Sequence, residues 1–153
     1  IRAFESARPP RARLVIVGHG RDWQRLRALA APDIVMPGFI ARPQDCFAAF
    51  DAFVSAARSE PFGLVFLEAM AAGLPVVHCR APESAVSELV RDGVEGLMTE
   101  PSAPALAAGI RALLADEPRR RALADAARRR AAEYSWSRLA AEYERLLYSL
   151  AGT

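Results

Sequence analysis

Two carboxylates eight residues apart, Glu60 and Glu68, bracket Pro-Phe-Gly-Leu-Val-Phe-Leu within the run from Ser59 to Gly73. The apolar run Ala52-Phe53-Val54 lies before them and helical spacing follows, so the stretch reads as strand, turn, helix. The first turn of a helix leaves N–H groups unpaired, and the helix dipole favours an anion there. Gly63 has no side chain to block a phosphate approaching that backbone. Glu60 precedes the helix, and Glu68 falls about a turn and a half into it, so the pair could hold different parts of one elongated ligand. A carboxylate can accept two hydrogen bonds from a vicinal diol, and a diphosphate flanked by two diols describes a nucleotide sugar. The same two acids fit equally well as a dipole-favoured residue near a helix start and a solvated helix residue.

The elements that must position these residues alternate along the chain. Leu14-Val15-Ile16-Val17 reads as a buried strand closed by Gly18-His19-Gly20, and a helix is expected over 22–29. Ile34-Val35-Met36 reads as a strand stopped by Pro37-Gly38, and Pro43 opens a helix over 43–50. After Ala52-Phe53-Val54 comes a helix over 62–72, ended by Gly73. Pro75-Val76-Val77-His78 is the next strand, 84–91 a helix, Asp92-Gly93 a turn and Gly96-Leu97-Met98 a strand. From Ser102 onward the pattern is helical over 103–114, 118–134 and 137–150. Such alternation predicts an α/β fold, a Rossmann-like parallel sheet with flanking helices and a helical C-terminal tail. Residues 1–7 read as the end of a helix. In a doubly wound sheet the strand before that helix lies near the centre, so an incomplete chain is expected.

The 153 residues suffice for one domain. Composition is that of a globular protein, with 52% hydrophobic and 25% charged residues. No apolar run reaches the roughly 18 residues of a membrane span, and no signal peptide is visible. All basic residues are Arg, with no Lys, and the net charge is +2. That near-balance argues against a dedicated nucleic-acid binder. The Arg triplets at 119–121 and 128–130 spread around their helix at 100° per residue, which reads as a solvated basic face. Cys46 and Cys79 have no CxxC spacing and read as free thiols of a reducing cytoplasm.

The run from Glu60 to Val77 strongly resembles the C-terminal domain of the retaining GT-B glycosyltransferases, specifically glycosyltransferase family 4 (group 1). The family's E-x7-E motif matches Glu60 to Glu68, followed by Ala-Met-Ala-Ala-Gly-Leu-Pro-Val-Val at 69–77. Val15 to Gly20 (family form VGxG), Gly38-Phe39, Asp92-Gly93-Val94-Glu95-Gly96-Leu97 and Tyr134-Ser135-Trp136 extend the resemblance over nearly the whole chain. It implies a single donor-binding domain over 1–153, with a 1–135 core lacking the family's first strand and a C-terminal helix over 136–153. It also implies that the N-terminal acceptor domain is absent. The implied reaction transfers a sugar from a nucleoside-diphosphate sugar to an acceptor hydroxyl with retention, in bacterial cell-envelope polysaccharide or glycolipid synthesis. By the same match Glu60 is the catalytic-site acid at the transferred sugar, and Glu68 binds ribose hydroxyls. The backbone at Gly63 and Leu64 meets the diphosphate, and Phe39-Ile40 lies beside the base. Phe62, Gly18 and Gly20 complete the donor-binding set. No metal and no cofactor are implied. The expected setting is cytoplasmic, with room for peripheral contact with the inner membrane face and none for nucleic acid.

Two departures bear on function. The family's Arg/Lys diphosphate clamp belongs to a segment this chain does not contain, so the chain alone is expected to catalyse no transfer. The family's Gly-Gly-x-Pro-Glu loop is replaced by Arg80-Ala-Pro-Glu-Ser-Ala-Val-Ser-Glu88, without glycine. These departures motivate an alternative, a noncatalytic nucleotide-sugar-binding or regulatory module. His19 reads as a surface turn residue, and His78 fits a ligand contact or packing. Arg58 reads as a surface residue, and Trp23 and Trp136 as packing residues.

Overall fold

The computed structural model describes residues 1–81 and 83–152. Seven strands are present among them: β1 (Leu14–Val17), β2 (Ile34–Gly38), β3 (Phe53–Ser55), β4 (Ser59–Glu60), β5 (Val76–Cys79), β6 (Glu83–Ser84) and β7 (Gly96–Thr99). The helices are α1 (Arg2–Ala7), α2 (Trp23–Ala28), α3 (Leu64–Ala71), α4 (Val86–Leu89), α5 (Ala103–Ala115), α6 (Glu117–Ala132) and α7 (Trp136–Ala151). Every ladder is parallel, as strand–helix alternation requires. The strands fall into a β1-β2 pair, a β3-β5-β7 sheet and a β4-β6 pair.

The core lies on both faces of β5. Val77 and Cys79 meet Ala3 of α1 and Leu106 and Ile110 of α5 on one face. Val76 meets Phe66 and Met70 of α3, Leu89 of α4 and Ala127 of α6 on the other. With helices on both sides no residue of β5 reaches solvent, which is why it reads as a near-continuous apolar run. Helix α5 approaches closely at Gly109, where an added Cβ would lie 2.7 Å from Thr99 Cγ2 and 2.9 Å from Val77 Cγ1. Ser102 and Asp116 cap α5 and α6 through their side-chain oxygens.

Several elements differ from the sequence reading. Pro43–Ala49 is a 3-10 helix rather than an α-helix, since no side chain caps it and Phe50 is already extended. β2 continues through Pro37, because that strand lies at an outer edge where a missing N–H costs no ladder bond. The helix expected from 62 starts at Leu64, because Gly63 sits at φ 92°. The helix expected over 84–91 shortens to Val86–Leu89, its first residue going to β6. Trp136 is 77% exposed rather than packed, and α7 buries no residue. No helix is long and apolar enough to cross a membrane among the described residues.

Candidate functional site

The two acids of the 60–68 run are set by different elements. Glu60 is half-buried at the end of β4, which pairs with β6 so that Glu60 lies opposite Ser84. The Ala85 N–H donates to the Glu60 carbonyl at 3.1 Å and ties the segment after β5 to the turn before α3. Glu68 is exposed on α3, one helical stretch away. Between them Gly63 forms the N-cap in a left-handed conformation, buried against its neighbours. A Cβ there would lie 3.0 Å from Phe66 Cδ2, 3.3 Å from Val86 Cγ2 and 3.5 Å from Glu60 Cγ. Only glycine satisfies both the angle and the space.

The Gly63 carbonyl accepts from the N–H groups of Phe66 (2.9 Å) and Leu67 (3.3 Å). Those of Leu64 and Val65 donate to no protein acceptor among the described residues, and both side chains are exposed. An eight-residue helix therefore presents two free donors at its positive end, with a carboxylate on either side. Phe62, half-exposed beside them, rests edge-on against Tyr134 at 6.4 Å. The Arg130 guanidinium lies 5.0 Å over the Tyr134 ring, and its Nη2 donates to the Glu88 carbonyl at 2.7 Å. The C-terminal end of α6 thus backs the start of α3.

Behind the site, His78 of β5 is fully buried with its ring edge-on to Phe66 at 5.0 Å. Its Nδ1 lies 3.3 Å from the Ser55 carbonyl, which can only accept, so Nδ1 carries the proton. Nε2 is then a buried lone pair with no hydrogen-bond partner among the described residues. Burial pushes the imidazole below its ordinary 6.5, against the opposing pull of the Ser55 carbonyl and the Glu60 charge. Of the two roles the sequence left open for His78, packing describes its surroundings. Glu95, also fully buried, accepts from the Arg91 backbone N–H at 2.8 Å and from its guanidinium, closing the turn before β7.

The remaining sequence candidates stand apart from this group. Gly18 and Gly20 follow β1 and line a hollow of about 630 Å³ with Val17, Trp23 and Met36. Phe39, 77% exposed, and Ile40 follow β2. No hydrogen bond or ion pair joins these loops to Glu60, Gly63 or Glu68 among the described residues. His19 is exposed and stacks on Trp23 at 4.9 Å. The β4–β6 pairing was not anticipated, since two-residue strands carry no periodicity to read; Pro82 in that loop lies outside the described residues.

Comparisons with known proteins agree with this layout. A family model described as Glycosyl transferases group 1 matches residues 1–116. The D-inositol 3-phosphate glycosyltransferase of Acidothermus cellulolyticus is 37% identical over 116 residues, covering 68% of this chain and 25% of its own length. The lipopolysaccharide core biosynthesis glycosyltransferase LpsE of Rhizobium meliloti is 36% identical over 121 residues, covering 74% of this chain and 35% of its own length. Among solved structures, sucrose-phosphate synthase from Thermosynechococcus elongatus superposes with a TM-score of 0.85 at 27% identity, over 98% of this chain and 41% of that one. Anabaena Alr3699/HepE in complex with UDP-glucose gives 0.77 at 27% identity, over 99% of this chain and 44% of that one. The chain therefore spans a quarter to under half of the length of these proteins. The family match takes in all three strand groups, the Glu60-to-Glu68 run and the Glu95 turn, and the chain belongs to the group 1 glycosyl transferases.

Proposed function

We propose that this chain is the donor-binding part of a retaining glycosyltransferase of family 4. It would move a hexosyl residue from a nucleoside-diphosphate sugar to an acceptor hydroxyl, in the synthesis of cell-envelope polysaccharide or glycolipid. The observation that carries the reading is the start of α3, where the free N–H groups of Leu64 and Val65 adjoin Gly63 between half-buried Glu60 and exposed Glu68. The diphosphate lies on those donors, Glu68 holds the ribose diol and Glu60 the hydroxyls of the transferred sugar. Phe39 and Ile40 flank the base. Donors aimed at the leaving diphosphate stabilise the charge that develops as the glycosidic bond breaks. UDP-glucose bound to the HepE structure supports the ligand class, and the lipopolysaccharide role in the name of LpsE supports the pathway class. The acceptor site and further phosphate-binding cations belong to the rest of a longer polypeptide, working in the cytoplasm at the inner membrane face. The 153-residue chain by itself transfers no sugar.

The test is a ligand-observed NMR titration with UDP-, GDP- and ADP-glucose beside Glu68→Ala. One nucleotide class is expected to bind. Losing the charged hydrogen bonds of Glu68 should weaken it by roughly 10- to 100-fold, the equivalent of about 1.5–3 kcal/mol. Failure of all three to bind a chain shown folded by circular dichroism overturns the reading.

A further inference from the structure

The loops after β1 and β2 leave the carboxyl ends of two paired parallel strands, where open α/β sheets take their ligands. Gly18 N–H donates to the Gly38 carbonyl at 2.8 Å, so His19 and Phe39 each stand one residue beyond the last bond between the strands. This end is bare of side chains: at Gly18, Gly20 and Gly38 an added Cβ would meet nothing within 4 Å. Gly18 and Gly38 sit at φ 125° and 88°, which calls for glycine whatever the surroundings. Gly20 has neither a left-handed backbone nor a close neighbour, so folding alone does not require glycine there. What glycine provides at that position is open space beside His19.

Into that space the chain sets an aromatic stack. His19 is exposed and lies over Trp23, with ring centroids 4.9 Å apart and planes 27° from parallel. Trp23 is half-buried in the first turn of α2, and the Arg27 guanidinium, one turn on, lies 4.9 Å over the same indole. No hydrogen bond or ion pair among the described residues holds the His19 imidazole, so the indole is what fixes it. A ring already ordered in this way loses little freedom when a second ring settles on it. His19, Trp23 and Met36 line the hollow of about 630 Å³ with the two glycines of the loop. An exposed ring backed by another ring and flanked by glycine recognises a flat heterocycle by its face, whereas hydroxyls and phosphates require directional polar partners. We propose that His19, braced by Trp23, is a base-stacking residue: the nucleobase of the nucleoside-diphosphate donor lies in this hollow with its face on the imidazole, beside Phe39 and Ile40. The inference rests on the donor reading of the α3 start for the identity of the ligand. It turns His19 from a surface turn residue into a contact that sets how tightly the base is held, and it gives Trp23 and Arg27 the task of holding that ring in place.

The test titrates UDP, GDP and ADP into the 153-residue chain and into His19→Ala, His19→Phe and Glu68→Ala, with circular dichroism reporting that each is folded. His19→Ala is expected to weaken the nucleotide that binds by about 5- to 100-fold, the range that removing one stacked aromatic gives. His19→Phe, which restores a ring without imidazole nitrogens, is expected to keep affinity within about threefold of the parent. The chain has two histidines and only His19 is exposed, so its imidazole proton signals can be followed directly, and they should move upfield as a base covers the ring. Equal affinity of His19→Ala and the parent overturns the proposal, as does a loss that His19→Phe shares or a His19 signal unmoved at saturation. A nucleotide weakened by Glu68→Ala but not by His19→Ala overturns the stacking role and leaves the reading of the α3 start intact. One weakened by His19→Ala but not by Glu68→Ala upholds the stacking role and overturns that reading. Binding of none of the three overturns both.

Discussion

Replacing Gly63 by Ala tests the local construction of the α3 start. At φ 92° an L-residue costs about 1–2 kcal/mol, of which the reduced freedom of the unfolded chain returns about 0.4–1. The added methyl also meets Phe66 at 3.0 Å and Val86 at 3.3 Å. Those side chains are 1% and 0% exposed, so neither can swing into solvent, and overpacking adds about 1–3 kcal/mol. The net loss is about 2–3 kcal/mol. Gly93 supplies the control: its φ is 75°, but nothing lies within 4 Å of an added Cβ, so Gly93→Ala carries the backbone cost alone, about 0.5–1 kcal/mol. At about 2–4 °C per kcal/mol for a chain of this size, Gly63→Ala should lower Tm by about 5–10 °C and Gly93→Ala by about 1–4 °C. Urea unfolding followed by circular dichroism measures both. A loss at Gly63 no larger than that at Gly93 would refute the claim that the Phe66 and Val86 side chains close around this turn.

Two buried groups make stability depend on pH in distinct windows. Burial alone would raise the Glu95 carboxyl, but the Arg91 guanidinium and backbone N–H outweigh it and hold the group below its ordinary 4.5. Because the folded value is the lower one, the ionised group contributes stability above about 4.5 that is lost as pH falls through the depressed value. Glu95→Gln should remove that loss, and an unchanged acid limb in urea unfolding would contradict it. For His78 the unfolded chain takes up a proton near 6.5, while burial keeps the folded imidazole neutral to lower pH. Stability present above 6.5 is therefore lost as pH falls through the depressed value. His78→Leu should abolish this component, and a variant that keeps the same decline between neutral and mildly acid pH would show that the decline arises elsewhere.

The features legible from the chain are those whose determinants lie within a few residues of one another. Leu14 to Val17 and Val76 to Cys79 announce strands by their own apolar runs, and Ser102 and Asp116 announce helix starts by their own side chains. The Glu60-to-Glu68 run belongs with these, because a strand end, a glycine turn and a helix start follow one another without interruption. Other features came only from the tertiary structure. The β4–β6 pairing joins segments more than twenty residues apart, each too short to show periodicity. The shift of the α3 start to Leu64 follows from the left-handed turn at Gly63, which closes against Phe66 and against Val86 of a later helix. The burial of His78, and the exposure of Trp136 where the sequence reads as a packing residue, likewise depend on which elements stand opposite. The interruption between β1 and β3 is intermediate: the helical reading of residues 1–7 already points to a strand missing from the middle of the sheet, and the ladders locate the two edges that no strand pairs with among the described residues. The reason is physical: apolar patterning fixes which faces seek cover, while the partner that covers them is chosen by non-local hydrogen bonding and packing.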